Sequence, residues 1–223
     1  MIKTVNLTRT YGKGEGQVVA LKGIDLTISD GEMVAIIGKS GSGKSTLLNL
    51  IGGLDVPTEG KIYYNETEIG KMNDTELSKF RLNNVGFVFQ FFDLIPELTA
   101  EENILLPSKL AKKKENSADD IYSALDISDR IKHYPSELSG GQQQRAAIAR
   151  AMINSPDVLL CDEPTGNLDK RSGEEVMALL KTLNEQGKTV IIVTHDEDVA
   201  AKCGRVIEIS DGEIVNSKSS SQP

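Results

Sequence analysis

Met33-Val34-Ala35-Ile36-Ile37 runs straight into Gly38-Lys39-Ser40-Gly41-Ser42-Gly43-Lys44-Ser45, and Thr46-Leu47-Leu48-Asn49-Leu50-Ile51 follows before Gly52-Gly53. The opening five residues form a continuous apolar run, as a strand buried on both faces requires, and such strands belong to parallel sheets covered by helices. The closing block predicts a short apolar helix ended by the glycine pair. Between them stands the spacing G-x-x-x-x-G-K-[ST], directly after a predicted strand and directly before a predicted helix. Glycines let backbone N–H groups turn inward around a β-phosphate, and the helix N-terminus adds partial positive charge. Lys44 would neutralise β- and γ-phosphates, and the Ser45 hydroxyl would reach Mg²⁺. The candidate phosphate-binding set is Gly38, Ser40, Gly41, Ser42, Gly43, Lys44, Ser45 and Thr46. The bland alternative is a flexible glycine turn with a chance Lys-Ser. Taken alone, the loop indicates an NTPase or a kinase and no more.

Two further apolar runs, Val158 to Cys161 and Val190 to Val193, come late in the chain. Helical stretches separate them, notably Arg171 to Glu185 with apolar Val176, Leu179, Leu180 and Leu183. Strands alternating with helices predict an α/β fold with a mostly parallel core sheet. The first thirty or so residues read differently, as short strands over Ile2–Leu7, Val18–Leu21 and Asp25–Ile28 with polar turns, an antiparallel β subdomain added to that core. From about 91 to 150 strand character fades, and the helical pieces are interrupted by Pro96, Pro107 and Pro135. The expectation is one domain over residues 1–216, with a helical subdomain inserted at about 91–150 and a serine-rich, disordered tail at 217–223. Lys112-Lys113-Lys114 reads as a solvated face.

The bulk numbers narrow the function classes. With 223 residues the chain can bury a substantial core, and 39% apolar with 26% charged residues is an ordinary globular composition. A formal net charge of −8 argues against broad electrostatic binding to nucleic acid and against an anionic lipid surface, so membrane association should run through a protein partner. No apolar run approaches the roughly 20 residues that cross a bilayer. Met1-Ile2-Lys3-Thr4-Val5-Asn6 lacks the pattern of a secretory signal. Cys161 and Cys203 have no metal-ligand spacing, so a reducing cytoplasmic setting is the simple expectation.

Val158-Leu159-Leu160-Cys161-Asp162-Glu163 is an apolar strand ending in two acids, at the rim where ligands of parallel α/β sheets bind. Asp162 is the candidate Mg²⁺ partner. Glu163 is the candidate base that polarises an attacking water. A helix N-cap pair is the alternative reading of these acids.

Leu138-Ser139-Gly140-Gly141-Gln142 precedes Gln143 to Ala151, a strongly helical stretch. It is a second glycine-bearing helix start, hence a second anion site with Ser139 as hydroxyl donor, unless it is simply a capped turn. Leu-Ser-Gly-Gly-Gln resembles the signature of ABC-transporter nucleotide-binding domains, and it stands between the phosphate loop and the Asp-Glu strand in that family's order. The resemblance covers nearly the whole chain except the tail. It implies a P-loop NTPase fold and a Mg²⁺-dependent ATPase that works as a head-to-tail homodimer. In that dimer ATP is sandwiched between one chain's Lys44 loop and the other's Ser139, Gly140, Gly141 and Gln142.

The same resemblance assigns Gln90 as the Q-loop glutamine touching metal and water, and His195 as the switch histidine at the γ-phosphate. It assigns Asp169, within Asn167-Leu168-Asp169, to the D-loop, and Tyr11 to stacking on adenine. Taken singly, His195 and Gln90 would pass for structural residues and Tyr11 for a half-buried turn tyrosine. Phe87 to Pro96 and Glu163 to Asp169 look most like the macrolide-export, lipoprotein-release and antimicrobial-peptide-resistance branch. That implies a membrane permease partner and a peripheral place on the inner face of the cell membrane. Lys39 stands where that branch usually has proline, and Pro107 to Ala124 is shorter than usual. All five phenylalanines lie between Phe80 and Phe92. Phe87 and Phe89 read as core, and Phe91 with Phe92 as either a partner socket or simple packing. The competing functions are a soluble ABC-type ATPase acting on nucleic acid or ribosomes, which usually carries tandem cassettes or long inserts, and a nucleotide-binding module without turnover.

Overall fold

The computed structural model describes residues 1–112 and 118–219. Its chain order is β1 (Ile2–Tyr11), β2 (Val18–Ile28), β3 (Met33–Ile37), α1 (Lys44–Ile51), β4 (Glu59–Tyr64), β5 (Thr67–Glu68), α2 (Asp74–Asn84) and β6 (Val85–Val88). There follow α3 (Ala100–Leu110), α4 (Ala118–Ala124), α5 (Gly140–Met152), β7 (Val158–Asp162), α6 (Lys170–Glu185), β8 (Thr189–Val193), α7 (Glu197–Ala200), β9 (Arg205–Ser210) and β10 (Glu213–Ser219). The backbone divides into two compact units, one made of Met1–Ser78 with the chain from Thr189 onward, the other of Lys79–Lys188.

In the first unit an antiparallel sheet runs in the order β2-β1-β4-β5. Its pairing starts at Ile2↔Ile28 and Ile2↔Tyr64, and irregularities in β1 between Thr4 and Thr10 bend the long ribbon. Inward-facing Leu21, Ile24, Leu26 and Ile28 give β2 one buried face, and the two short strands expected there are one continuous strand. The second sheet of this unit has β3 at its centre, parallel to β8 (Met33↔Val190) and to β9 (Val34↔Arg205), with β10 returning antiparallel along β9. Every residue of β8 and the first four of β3 are buried, as unbroken apolar runs demand when both faces of a strand are covered. Leu47, Leu48, Leu50 and Ile51 of α1 are buried as well. Each such side chain contributes about 1.5–3 kcal/mol of hydrophobic stabilisation.

In the second unit β6 lies parallel to β7, Val85 opposite Val158. Helix α5 crosses β6 so closely that a Cβ at Gly86 would sit 2.7 Å from the Ala151 carbonyl oxygen. Helix α6 buries Val176, Met177, Leu180 and Leu183. The 91–150 stretch carries α3, α4 and α5 and, within its described residues, no strand. Asn103 of α3 is fully buried, and its amide donates to the carbonyls of Ile95, Leu98 and Thr99 while its Oδ1 accepts from Ile95 N at 2.7 Å. One side chain therefore pins the 95–99 loop to the helix.

Several expectations are corrected. Pro107 does not interrupt a helix; it sits in the last turn of α3, where its carbonyl still accepts from Ala111 N at 3.0 Å. Phe87 and Phe89 are half-buried rather than core, and stack on each other at 5.7 Å. Phe89 lies one residue beyond the end of β6. The serine-rich end enters β10, where Asn216 to Ser219 pair with Glu208 to Arg205, and residues 220–223 lie outside the described residues. Lys113 and Lys114 also lie outside them, while Lys112 is exposed. Among the described residues no helix is long and apolar enough to cross a membrane.

Candidate active site

In the first unit the 38–46 loop leaves β3 and enters α1 through three glycines at positive φ, Gly38 at 153°, Gly41 at 78° and Gly43 at 104°. A Cβ at Gly38 would stand 2.1 Å from the Ile209 carbonyl oxygen, and one at Gly43 would stand 2.5 Å from that of Ala20. Side chains are thus shut out at both ends of the loop. The loop is further tied by Ser42 N to Lys39 O at 3.2 Å and by Gly212 N to Ser42 O at 3.0 Å. Gly43 is the N-cap of α1 and supplies no side-chain oxygen, so the positive end of the helix is available to an anion. Ser42 Oγ is buried without a hydrogen-bond partner, a polar atom aimed into the loop. Lys44 is 9% exposed, and its Nζ donates to the carbonyls of Gly38 at 2.8 Å and Lys39 at 3.0 Å. The ammonium is therefore held over its own loop. Lys39 is exposed and contributes only backbone to these bonds, so the lysine in place of proline leaves the N–H cradle intact. Ser40, Gly41 and Ser45 are exposed and Thr46 half-buried along the same rim.

His195 is exposed just beyond β8. Buried Thr194 accepts from Asp196 N at 3.0 Å, and Asp196 caps α7 through Asp198 N at 2.8 Å, so the turn carrying the imidazole is fixed on both sides. Tyr11 at the end of β1 is 39% exposed. Its hydroxyl donates to Asp55 Oδ2 at 2.7 Å, and the Arg9 guanidinium covers its ring at 4.6 Å from the centroid. Arg9 is itself ion-paired to Asp55 at 2.7 Å. Arg9 and Asp55 escaped sequence reading because nothing local relates positions 46 residues apart.

In the second unit Asp162 closes β7, and Glu163 follows with φ 47°, a left-handed conformation that few non-glycine residues adopt. A tight turn then returns, Gly166 N donating to Glu163 O at 3.0 Å. Gln90 is held against this turn: Asn167 Nδ2 donates to Gln90 O at 2.9 Å, and Gln90 Nε2 reaches Asn167 Oδ1 at 3.5 Å. Asp169 is the N-cap of α6, accepting from Ser172 Oγ at 2.7 Å and Ser172 N at 3.0 Å. Those bonds favour the carboxylate and hold Asp169 below its usual range.

Ser139 is the N-cap of α5. Its Oγ accepts from Gln142 N at 3.3 Å, and Gln142 Oε1 accepts from Ser139 N at 2.9 Å, a reciprocal capping box. Capping uses the hydroxyl as acceptor only, so its hydrogen stays available to donate to an anion. The capped-turn reading is thus what the structure shows, and the cap is compatible with an anion meeting the same hydroxyl. Gly140 and Gly141 permit close packing: a Cβ would come within 3.3 Å of Leu168 at the first and 3.0 Å of Ser172 Oγ at the second. The same virtual Cβ at Gly140 lies 3.7 Å from the Phe92 ring, so half-buried Phe92 packs on this helix start while Phe91 stands 72% exposed. Of the two readings weighed for the pair, simple packing holds for Phe92. Arg150, at the other end of α5, donates to the carbonyls of Phe92 (2.9 Å) and Asp93, both of which have positive φ.

Among the buried or half-buried polar side chains of α5 that the sequence did not single out are Gln144 and Arg150. For Gln144 a signal existed, since it falls on the apolar face with Ala147 and Ile148 at positions three and four further on.

Comparison with known proteins gives one consistent picture. The family model described as ABC transporter matches residues 21–166. An uncharacterized ABC transporter ATP-binding protein of Methanocaldococcus jannaschii, MJ1508, is 48% identical over 96% of this chain and 98% of its own length. The macrolide export ATP-binding/permease protein MacB of Bartonella henselae is 50% identical over 94% of this chain, which spans only 32% of MacB. Among solved structures, a dimeric post-hydrolysis state of the ATP-binding cassette MJ0796 bound to ADP and Pi superposes with a TM-score of 0.90 at 46% identity, covering 98% of each chain.

Proposed function

This chain belongs to the ABC transporter family of ATP-binding proteins, and on that premise we propose that it hydrolyses ATP in a head-to-tail homodimer to drive a membrane permease. The observation that carries the reading is the 38–46 loop, with Lys44 held over it by two carbonyls and Ser42 Oγ buried beside it without a partner. This cradle fits a triphosphate and has no counterpart need in packing. Tyr11, braced by Asp55 and Arg9, offers its remaining ring face to adenine.

Ser45, Gln90 and Asp162 would hold Mg²⁺. Their hydroxyl, amide and carboxylate oxygens are the hard donors this ion selects. Bound there, the ion neutralises charge on the β- and γ-phosphates. Glu163 accepts the proton of the attacking water as its oxygen bonds to the γ-phosphorus and the bond to ADP breaks, releasing ADP and phosphate. His195 and Lys44 stabilise charge on the transferring phosphoryl. Ser139, donating outward while capping α5, reaches the γ-phosphate of the partner chain's ATP, with Gly140 and Gly141 allowing close approach. ATP then joins the two chains, and its hydrolysis separates them. The dimeric state of the MJ0796 cassette supports this assembly.

The permease assignment is supported by MacB, whose name joins ATP-binding and permease functions. With such a permease the chain would sit peripherally on the inner face of the cell membrane, in the branch serving macrolide export, lipoprotein release or antimicrobial peptide resistance. Helices α3, α4 and α5 act as the subdomain that meets the permease, and exposed Phe91 and Ile95 offer it an apolar contact.

Glu163→Gln tests the core of the proposal. The variant binds ATP, stops turning over and accumulates as a dimer in sedimentation experiments with ATP. Hydrolysis at the wild-type rate would remove Glu163 as the base.

A further inference from the structure

Helix α5 carries one buried polar side chain that neither phosphate binding nor the chemistry uses. Gln144 is 0% exposed. Its Nε2 donates to the Pro164 carbonyl at 2.8 Å, while its Oε1 is buried without a hydrogen-bond partner. A methionine would fill the same volume beside Ala147 and Ile148 with no amide to strip of water, so packing does not explain the amide.

What the amide holds does explain it. Pro164 follows Glu163, whose φ of 47° is unfavourable for a non-glycine residue. A residue before proline is, moreover, driven toward the extended region. Glu163 thus has two local reasons to relax away from its observed conformation. The Gly166 N to Glu163 O bond closes the turn on itself. The Gln144 bond instead fastens the next peptide to a thirteen-residue helix.

We propose that Gln144 is a positioning residue for Glu163, clamping the Pro164–Thr165 peptide one step beyond it so that the carboxylate keeps its left-handed placement at the end of β7. The clamp also makes Glu163 and Ser139 parts of one body, since Ser139 caps the same helix. In a head-to-tail dimer Glu163 serves its own chain's ATP and Ser139 the partner's, so the bond ties the two sites through a single chain. This rests on the reading of Glu163 as base.

The test compares the ATPase kinetics of Gln144→Met, Gln144→Glu and Glu163→Gln with the parent chain. Gln144→Met, which keeps the volume and loses the donor, lowers kcat about ten- to a hundredfold, as misplaced catalytic groups do, and leaves KM for ATP within about twofold. Gln144→Glu can donate to Pro164 O only when protonated. Burial raises such a carboxyl's pKa, so its rate relative to the parent is highest at acid pH and falls as pH rises. Parent-like kcat in folded Gln144→Met, a flat Gln144→Glu ratio across pH, or failure of both variants to fold at any pH would each overturn the clamp. Activity retained in Glu163→Gln would instead overturn the base, and the two failures are separable.

Discussion

Ser139 performs two jobs with different halves of one hydroxyl, and substitutions can separate them. Its oxygen accepts from Gln142 N at 3.3 Å as the N-cap of α5, and its hydrogen is proposed to meet the partner chain's γ-phosphate. Ser139→Ala removes both. Loss of the cap costs about 1 kcal/mol, which for a chain of 223 residues lowers Tm by about 2–4 °C. Ser139→Asp keeps the cap, since aspartate is as good an N-cap as serine, but it offers no donor and sets a carboxylate against the phosphate. A hydrogen bond to a charged group contributes about 1.5–3 kcal/mol, and a symmetric dimer has two of them. The ATP-dependent dimer of Ser139→Asp should therefore be weaker by at least about 10²- to 10⁴-fold. The measurement is sedimentation with ATP in a Glu163→Gln background, alongside thermal melts. Expected are a melting temperature within a degree or so of the parent for Ser139→Asp, and no ATP-dependent dimer. A Ser139→Asp chain that dimerises as tightly as its parent would refute the placement of the hydroxyl at the phosphate. One that melts as low as Ser139→Ala would refute the account of the cap.

Two more outcomes follow from particular contacts. Asp55→Asn weakens the grip on the Tyr11 hydroxyl and on Arg9, so KM for ATP rises about three- to tenfold while binding of tripolyphosphate, which has no base to stack, is unchanged; equal weakening of both ligands in calorimetry would remove Tyr11 from the adenine site. Asp169 has its pKa lowered on folding by its bonds to Ser172, so its contribution to stability is complete above the ordinary aspartate value of about 4 and fades as pH falls through the lower, folded value. The stability gap between the parent and Asp169→Asn in urea titrations is accordingly constant from neutral pH down to about pH 5 and shrinks below about pH 4; a gap that widens on acidification contradicts the assignment.

The phosphate loop was legible because its chemistry is local. Glycines at positive φ, a lysine and a hydroxyl must follow one another within eight residues, so their spacing marks the candidate site. The Asp162-Glu163 strand end and the Ser139 helix start are legible for the same reason. Gln90, His195 and Tyr11 carry no such local mark, and only their order along the chain relative to the motifs singled them out. The misses have a common cause. Arg9 and Asp55 meet across 46 positions, and Gln144 reaches Pro164 across 20, so neither bond leaves a pattern in any window of sequence. Phe91 and Phe92 are adjacent and chemically identical, yet one is exposed and the other packs on Gly140, in a chain that takes positive φ at Phe92 and again at Asp93.

By itself the sequence determined the class of fold and pointed to the chemistry proposed at its centre. Short apolar runs with no polar alternation, set between helical stretches, fit strands covered on both faces, and a glycine-rich turn leading into a helix is suited to presenting amides to an anion. Tertiary structure alone decided how those groups are held. It seats Lys44 on two carbonyls, puts Glu163 in a left-handed turn that its following proline opposes, and secures that turn from a helix through a buried amide. Local propensity cannot specify a conformation that local propensity disfavours. Such a conformation persists only where distant groups compensate for it, and distance along the chain is what a sequence does not display.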